Sequence, residues 1–171
     1  MGRIIAIANQ KGGVGKTTTS INLAACLAEA GKRVLAIDMD PQGNMTSGFG
    51  LDKTKAENTV YEMIMGDCTL KECLVREEES GLDILPSDSN LAGAEIELLD
   101  QEEKEAQLKK HLLPIKKKYD FIIIDCPPSL GILTTNALCA ASSVIIPVQC
   151  EFFALEGIMQ LLNSIMLAQK H

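Results

Sequence analysis

The stretch Gln10-Lys11-Gly12-Gly13-Val14-Gly15-Lys16-Thr17-Thr18 decides how the rest of this chain is read. It follows Arg3-Ile4-Ile5-Ala6-Ile7-Ala8, a nearly unbroken apolar run of the kind a parallel strand shows when both its faces are covered. It precedes a segment of helical character from about Thr17 to Ala30, which stops at Gly31, a residue suited to a helix C-terminus. Strand, glycine loop and helix in that order are the context a phosphate-binding loop requires. Glycines let successive backbone N–H groups converge on phosphate oxygens without Cβ clashes, and the helix N-terminus adds favourable partial charge. On this reading residues 12–18 line the phosphates: Gly12, Gly13, Val14, Gly15, Lys16, Thr17 and Thr18. Lys16 neutralises the β- and γ-phosphates, and the Thr17 hydroxyl ligates Mg²⁺. A glycine-rich turn with an exposed lysine would account for the residue types but not for their place between strand and helix.

Working outward, Arg33-Val34-Leu35-Ala36-Ile37 reads as a second strand, ending in Asp38-Met39-Asp40-Pro41. Residues 42–55 are polar and dotted with glycine, a loop with room for one short helix. Thr59 to Val75 has a helical pattern broken by Gly66, and Leu82 to Leu85 is a short strand closed by Pro86. Leu91 to Leu113 reads as helix in two segments. Phe121 to Asp125 is a further buried strand, followed by a helix over Ile132–Ala141 and a strand over Ser143–Val148. A last helix runs from Phe153 to Ala168. Strands alternating with helices imply an α/β fold with a mostly parallel sheet, helices on both faces and a single domain over 1–171.

The general template G-x-x-x-x-G-K-[ST] fails at its first position, where Gln10 stands, and beside it is a second lysine, Lys11. A lysine there is unnecessary for cradling phosphate within one chain. It is either a solvated side chain or a source of charge for a γ-phosphate across a subunit interface. Asp38 and Asp40, two apart, would share one face beyond the second strand. Ile122-Ile123-Ile124-Asp125 is an apolar run that ends with an acid at the carboxyl edge of the sheet, where α/β folds hold their ligands.

The arrangement K-G-G-x-G-K-T-T resembles the deviant Walker A motif of the ParA/MinD/nitrogenase-iron-protein group. Asp38-x-Asp40-Pro41-Gln42 is similar to the A′ motif of that group, and the strand ending at Asp125 to its Walker B. Leu85-Pro86 followed by Asn90-Leu91-Ala92-Gly93-Ala94-Glu95 resembles Soj-type ParA in particular, as does Gln149-Cys150-Glu151 followed by Ala154-Leu155-Glu156-Gly157. The resemblance implies ATP and Mg²⁺ as cofactors, slow hydrolysis, and a nucleotide-dependent homodimer acting in chromosome or plasmid partition. It implies that Lys11 reaches the partner's nucleotide, that Asp40 positions the attacking water, and that Asp125 holds Mg²⁺ through a water. The catalytic set is then Lys11, Lys16 and Asp40, and the metal set Thr17 and Asp125. It also implies a ParB-type centromere-binding partner, a cytoplasmic, nucleoid-associated location without membrane attachment, and nonspecific DNA contact through a C-terminal surface. Small ParA proteins run on past the equivalent of His171, so the chain reads as an amino-terminal portion lacking the residues that contact adenine and DNA. A membrane-associated MinD-like switch and a metabolic ATPase of the same loop type stand as alternatives.

Composition narrows the rest. The net charge of −7 repels nucleic acid on average, so DNA contact needs a local patch or further sequence. The longest apolar runs are far too short to span a bilayer, and the N-terminus lacks the form of a signal peptide. Six cysteines without a C-x-x-C pair read as reduced core thiols rather than a disulfide framework. Lys109-Lys110-His111 and Lys116-Lys117-Lys118 form a basic cluster, with Glu102, Glu103 and Glu105 placed for i,i+4 pairing on a solvated face. In the last helix Leu155, Ile158, Met159, Leu162, Ile165 and Met166 make a stripe expected to pack on the sheet.

Overall fold

The computed structural model describes residues 2–150 and 154–168. In chain order the elements are β1 (Arg3–Ile7), α1 (Lys16–Glu29), β2 (Val34–Asp38), α2 (Asn44–Gly48), α3 (Val60–Met65) and α4 (Leu70–Cys73). They continue with β3 (Val75–Arg76), β4 (Asp83–Leu85), α5 (Leu91–Glu97), α6 (Gln107–Leu112), β5 (Phe121–Asp125), α7 (Ile132–Ala140), β6 (Ser143–Ile145) and α8 (Ala154–Ala168). The six strands form one sheet in the order β3-β4-β2-β5-β1-β6. All neighbours are parallel except β3, which runs antiparallel to β4.

The period-2 alternation of each strand divides the core into two layers. Ile4, Leu35, Ile37, Ile122 and Ile124 face one side, with apolar residues of α3, α5, α6 and α7. Val34, Ala36, Ile84 and Ile123 face the other, against Ala24 and Ala28 of α1 and Met45 of α2. Ile122, Ile123 and Ile124 are completely buried, each contributing roughly 1.5–3 kcal/mol of burial. The parallel register matters most for function. It sets Ile7 beside Asp125, and Asp125 beside Asp38, so β1, β5 and β2 deliver their last residues to one edge.

Several expectations need correction. Val75 does not end a helix but begins β3, pairing with Ile84, while Arg76 pairs with Asp83 and bonds its carboxylate at 2.9 Å. The strand expected over 143–148 stops at Ile145, because Pro147 has no N–H to donate and its carbonyl turns instead to the Asn9 side chain at 2.8 Å. The acidic and basic residues of 102–118 do not sit on one helical face. Glu103 adopts a left-handed conformation (φ 51°) that breaks the helix, and its carboxylate reaches Lys110 at 2.9 Å, seven residues on. The apolar stripe of α8 is not buried throughout: Ile158 and Ile165 are partly buried, Met159, Leu162 and Met166 are exposed, and Leu161, off the stripe, is fully buried, while the Leu155 side chain lies outside the described residues. Among the cysteines, Cys73, Cys126 and Cys139 are buried free thiols, whereas Cys26 and Cys150 are exposed rather than core residues. Among the described residues no helix is long and apolar enough to cross a membrane.

Candidate functional site

The glycine loop crosses the carboxyl edge of the sheet between β1 and α1. Its conformation needs its glycines, since Gly13 (φ 73°) and Gly15 (φ 91°) both occupy the left-handed region. Asn9 anchors the start of the loop: its Nδ2 donates to Pro147 O at 2.8 Å, and its Oδ1 accepts from the Lys11 amide at 3.0 Å. Among the described residues no protein acceptor meets the amides of Gly12 through Thr18. Lys16 folds back so that its Nζ donates to the Lys11 carbonyl at 3.2 Å, and only 7% of the residue is exposed. Burial lowers its pKa, while the nearby Asp125 and Asp40 charges pull it back up. A cleft of about 280 Å³ opens here, lined by Gly12, Gly13, Gly15, Lys16, Thr17, Thr18, Asp40, Asn44 and Pro128.

Asp125 lies behind this cleft, completely buried at the end of β5. Its Oδ1 accepts from the Ser20 hydroxyl at 2.8 Å, and the nearby Thr17 hydroxyl also favours the charged form. Oδ2 is buried with no donor in hydrogen-bond geometry. Desolvation dominates, with Asp38 and Asp40 adding repulsion, and the pKa rises to about 6. An orphaned, buried carboxylate oxygen beside a hydroxyl suits a hard cation. Among the described residues no three His, Cys, Asp or Glu side chains could hold a metal by themselves. One carboxylate oxygen and one hydroxyl fit Mg²⁺, which takes one or two protein oxygens and completes its shell with water and phosphate.

Asp38 and Asp40 divide their work. Asp38 is turned inward: Oδ2 accepts from the Thr46 amide and hydroxyl at 2.8 and 2.7 Å, and Oδ1 from the Asp40 amide at 3.1 Å. Burial raises its pKa, and those three bonds oppose the shift. Asp40 alone of the two borders the cleft, its Oδ1 accepting from the Gln42 amide at 2.9 Å. Ser87, just past β4, locks the turn by donating its hydroxyl to Asp40 O and its amide to Thr46 Oγ1, both at 2.9 Å.

The structure thus gathers residues 12–18, Asp40 and Asp125 at one sheet edge and leaves Lys11 half-buried at the mouth of the loop. Sequence reasoning missed Asn9, Ser20, Thr46 and Ser87. Ser20 had a usable signal, because it lies one helical turn past Lys16 in a helix whose buried face is small. Thr46 and Ser87 had none.

A family model described as an AAA domain matches residues 2–171. The chain is 57% identical over 171 residues to the sporulation initiation inhibitor protein Soj of Bacillus subtilis, covering all of this chain and 68% of that protein. It is 53% identical over 170 residues to the chromosome partitioning protein ParA of Myxococcus xanthus, covering 99% of this chain and 60% of that one. The solved structure of cobyrinic acid a,c-diamide synthase from Mycobacterium smegmatis, with ADP and magnesium bound, superposes with a TM-score of 0.94 at 46% identity. That match covers 99% of this chain and 69% of the other. A phosphate-type glycine loop, a buried acid at the neighbouring strand end and identity of this extent along the whole chain agree, and the chain belongs to the ParA/Soj family of partitioning ATPases.

Proposed function

We propose that this chain binds ATP with Mg²⁺, hydrolyses it slowly, and uses the nucleotide to switch between monomer and homodimer in chromosome or plasmid partition. The observation that carries the reading is the juxtaposition of loop amides that meet no protein acceptor among the described residues, buried Lys16 lining one cleft with Thr17 and Asp40, and the orphaned Asp125 oxygen that faces Thr17 and Ser20. The loop amides and Lys16 hold the phosphates, and Thr17 and Asp125 hold the magnesium, which neutralises phosphate charge when bound. Asp40, held by Gln42 and Ser87, orients water toward the γ-phosphate. Lys11 lends its charge to the nucleotide of a second copy facing it, where two anions would otherwise repel. By family membership the dimer associates with DNA and meets a ParB-type partner that stimulates turnover.

The test uses two variants of the full-length protein. Asp40→Ala should retain ATP and accumulate as a nucleotide-locked dimer without turnover, whereas Lys11→Ala should retain ATP as a monomer and lose dimer, turnover and DNA association together. Light scattering and phosphate release decide it: parental turnover in either variant overturns the role given to that residue.

The name of the Mycobacterium smegmatis neighbour supports a second reading, an ATPase that activates a carboxylate for amide formation. That reading requires turnover that depends on a carboxylic acid and an amine donor, and is indifferent to DNA. The first requires the reverse.

A further inference from the structure

Away from the nucleotide cleft, two thiols meet. Cys68 lies two residues before α4 and Cys73 ends it, and their Sγ atoms lie 2.8 Å apart, inside van der Waals contact yet longer than the ~2.05 Å of a disulfide bond. Cys73 is 2% exposed, at the edge of the larger core layer, and Cys68 is half-buried beside it. The backbone is already wound for this meeting. Gly66 ends α3 in the left-handed region (φ 88°), and the Thr69–Glu72 capping box starts α4 at once. That single turn brings Cys73 back over Cys68, its Sγ 3.3 Å from Thr69 O. The remaining cysteines sit on other elements, and this pair alone has its sulfurs in contact among the described residues.

We propose that Cys68 and Cys73 are a thiol oxidation site, closing to a reversible intramolecular disulfide by exchange with low-molecular-weight disulfides. Cys68, the more accessible sulfur, attacks as thiolate one sulfur of a small disulfide; that S–S bond breaks, and the departing thiolate takes up the proton Cys68 lost. Cys73 then attacks Cys68 Sγ, breaking the mixed disulfide and releasing the second small thiolate, which takes the Cys73 proton. Two protein thiols are oxidised to one disulfide and one small disulfide is reduced to two thiols. Burial raises the Cys73 thiol pKa, so Cys68 goes first and the closing step is the slower. The sulfurs need move less than about 1 Å to bond. A ring of only six residues gains little from chain entropy, so the bond remains open to reduction.

This proposal is independent of how the nucleotide site is read. The full chain is incubated with oxidised glutathione, alkylated, digested with trypsin and weighed with and without dithiothreitol. Lys71 separates the two cysteines, so a disulfide holds peptides 56–71 and 72–76 together until it is reduced. The expected result is loss of two of the six alkylatable thiols, that linked peptide pair, and recovery with dithiothreitol. Cys68→Ser should lose the linked pair and leave Cys73 alkylatable after unfolding. A Cys68 that stops at the mixed disulfide, both thiols fully alkylated, or linkage only through Cys26 or Cys150 overturns the proposal.

Discussion

The loop after β1 and the loop after β2 leave the same sheet edge on either side of β5, yet they treat their hydrogen bonds in opposite ways. The first holds seven successive amides that meet no protein acceptor among the described residues, and it is tied through the Asn9 side chain at its start and through its carbonyls to Lys16 and Gln149. The second is fully stitched: Asp38, Thr46, Ser87 and the Asp40 backbone satisfy one another in a closed, buried set. One loop keeps donors for a ligand that arrives, while the other fixes a carboxylate in place before any ligand is there. Affinity belongs to the first and orientation to the second, so the two should fail differently when mutated.

Lys16→Ala attacks the open loop and should have the largest effect. Among the described residues it removes the one buried cation facing the cleft, and nucleotide affinity should fall at least about 100-fold, equal to about 3 kcal/mol. Stability should hardly change, since among the described residues the Lys16 side chain makes one hydrogen bond, to a loop carbonyl. Calorimetric titration with ATP and ADP checks it, and unchanged affinity would remove the phosphate loop from the account.

Thr46→Val attacks the stitched loop at equal volume. It takes one donor from buried Asp38 and leaves the Ser87 amide without its acceptor, which should cost about 2–3 kcal/mol in urea unfolding. Nucleotide affinity should stay within about threefold if the loops are energetically independent. A loss of affinity approaching that of Lys16→Ala would show that they act as one unit.

Asp125 stands between the two loops, and its test is pH. Its folded pKa of about 6 lies above the ordinary aspartate value. The metal-free folded state therefore binds more protons than the unfolded chain between about pH 4 and 6. The stability linked to that proton is full below about pH 4 and lost as pH rises through 6. Asp125→Asn should flatten this slope and raise metal-free stability at pH 7 by roughly 1–2 kcal/mol. Thermal unfolding in chelator across pH 4–8 reads both. A variant less stable than the parent at pH 7 would mean that the charged carboxylate is net favourable there.

Gly13→Ala should have the smallest effect. A Cβ at this position meets nothing within 4 Å, so the penalty is conformational alone, about 1 kcal/mol for the left-handed φ. Chemical denaturation measures it. A much larger cost would mean that the open loop is more tightly tied than its hydrogen bonds show.

The open loop was legible in the sequence because its function is local: glycines, a lysine and a helix start are adjacent residues. β5 was legible to the residue for a related reason, since an uninterrupted apolar run bounded by Asp120 and Cys126-Pro127 leaves little choice of ends. The stitched loop was not. Asp38 and Asp40 look equivalent in the chain, and what separates them is Thr46, eight residues after Asp38, and Ser87, 47 residues after Asp40. β3 escaped because two residues carry no period, and only β4 across the sheet makes them a strand. Ser20 meets Asp125 across 105 residues: its spacing from Lys16 marks the buried face of α1, but the partner on β5 comes only from the parallel order of strands.

That contact has a further consequence. The Ser20 hydroxyl carries a single hydrogen but faces two acceptors, the Lys16 carbonyl at 3.0 Å and Asp125 Oδ1 at 2.8 Å. It must favour one at a time. When the carboxylate is charged the hydrogen turns to it, and the first turn of α1 loses a side-chain bond to its backbone. When the carboxylate takes up a proton, or gives its lone pair to a cation, the hydrogen is free to return to the Lys16 carbonyl. The serine is thus a rotary relay between the end of a strand and the start of a helix. A ¹³C carbonyl label at Lys16 should report by its chemical shift, from the far side of the glycine loop, what is bound at the tip of β5.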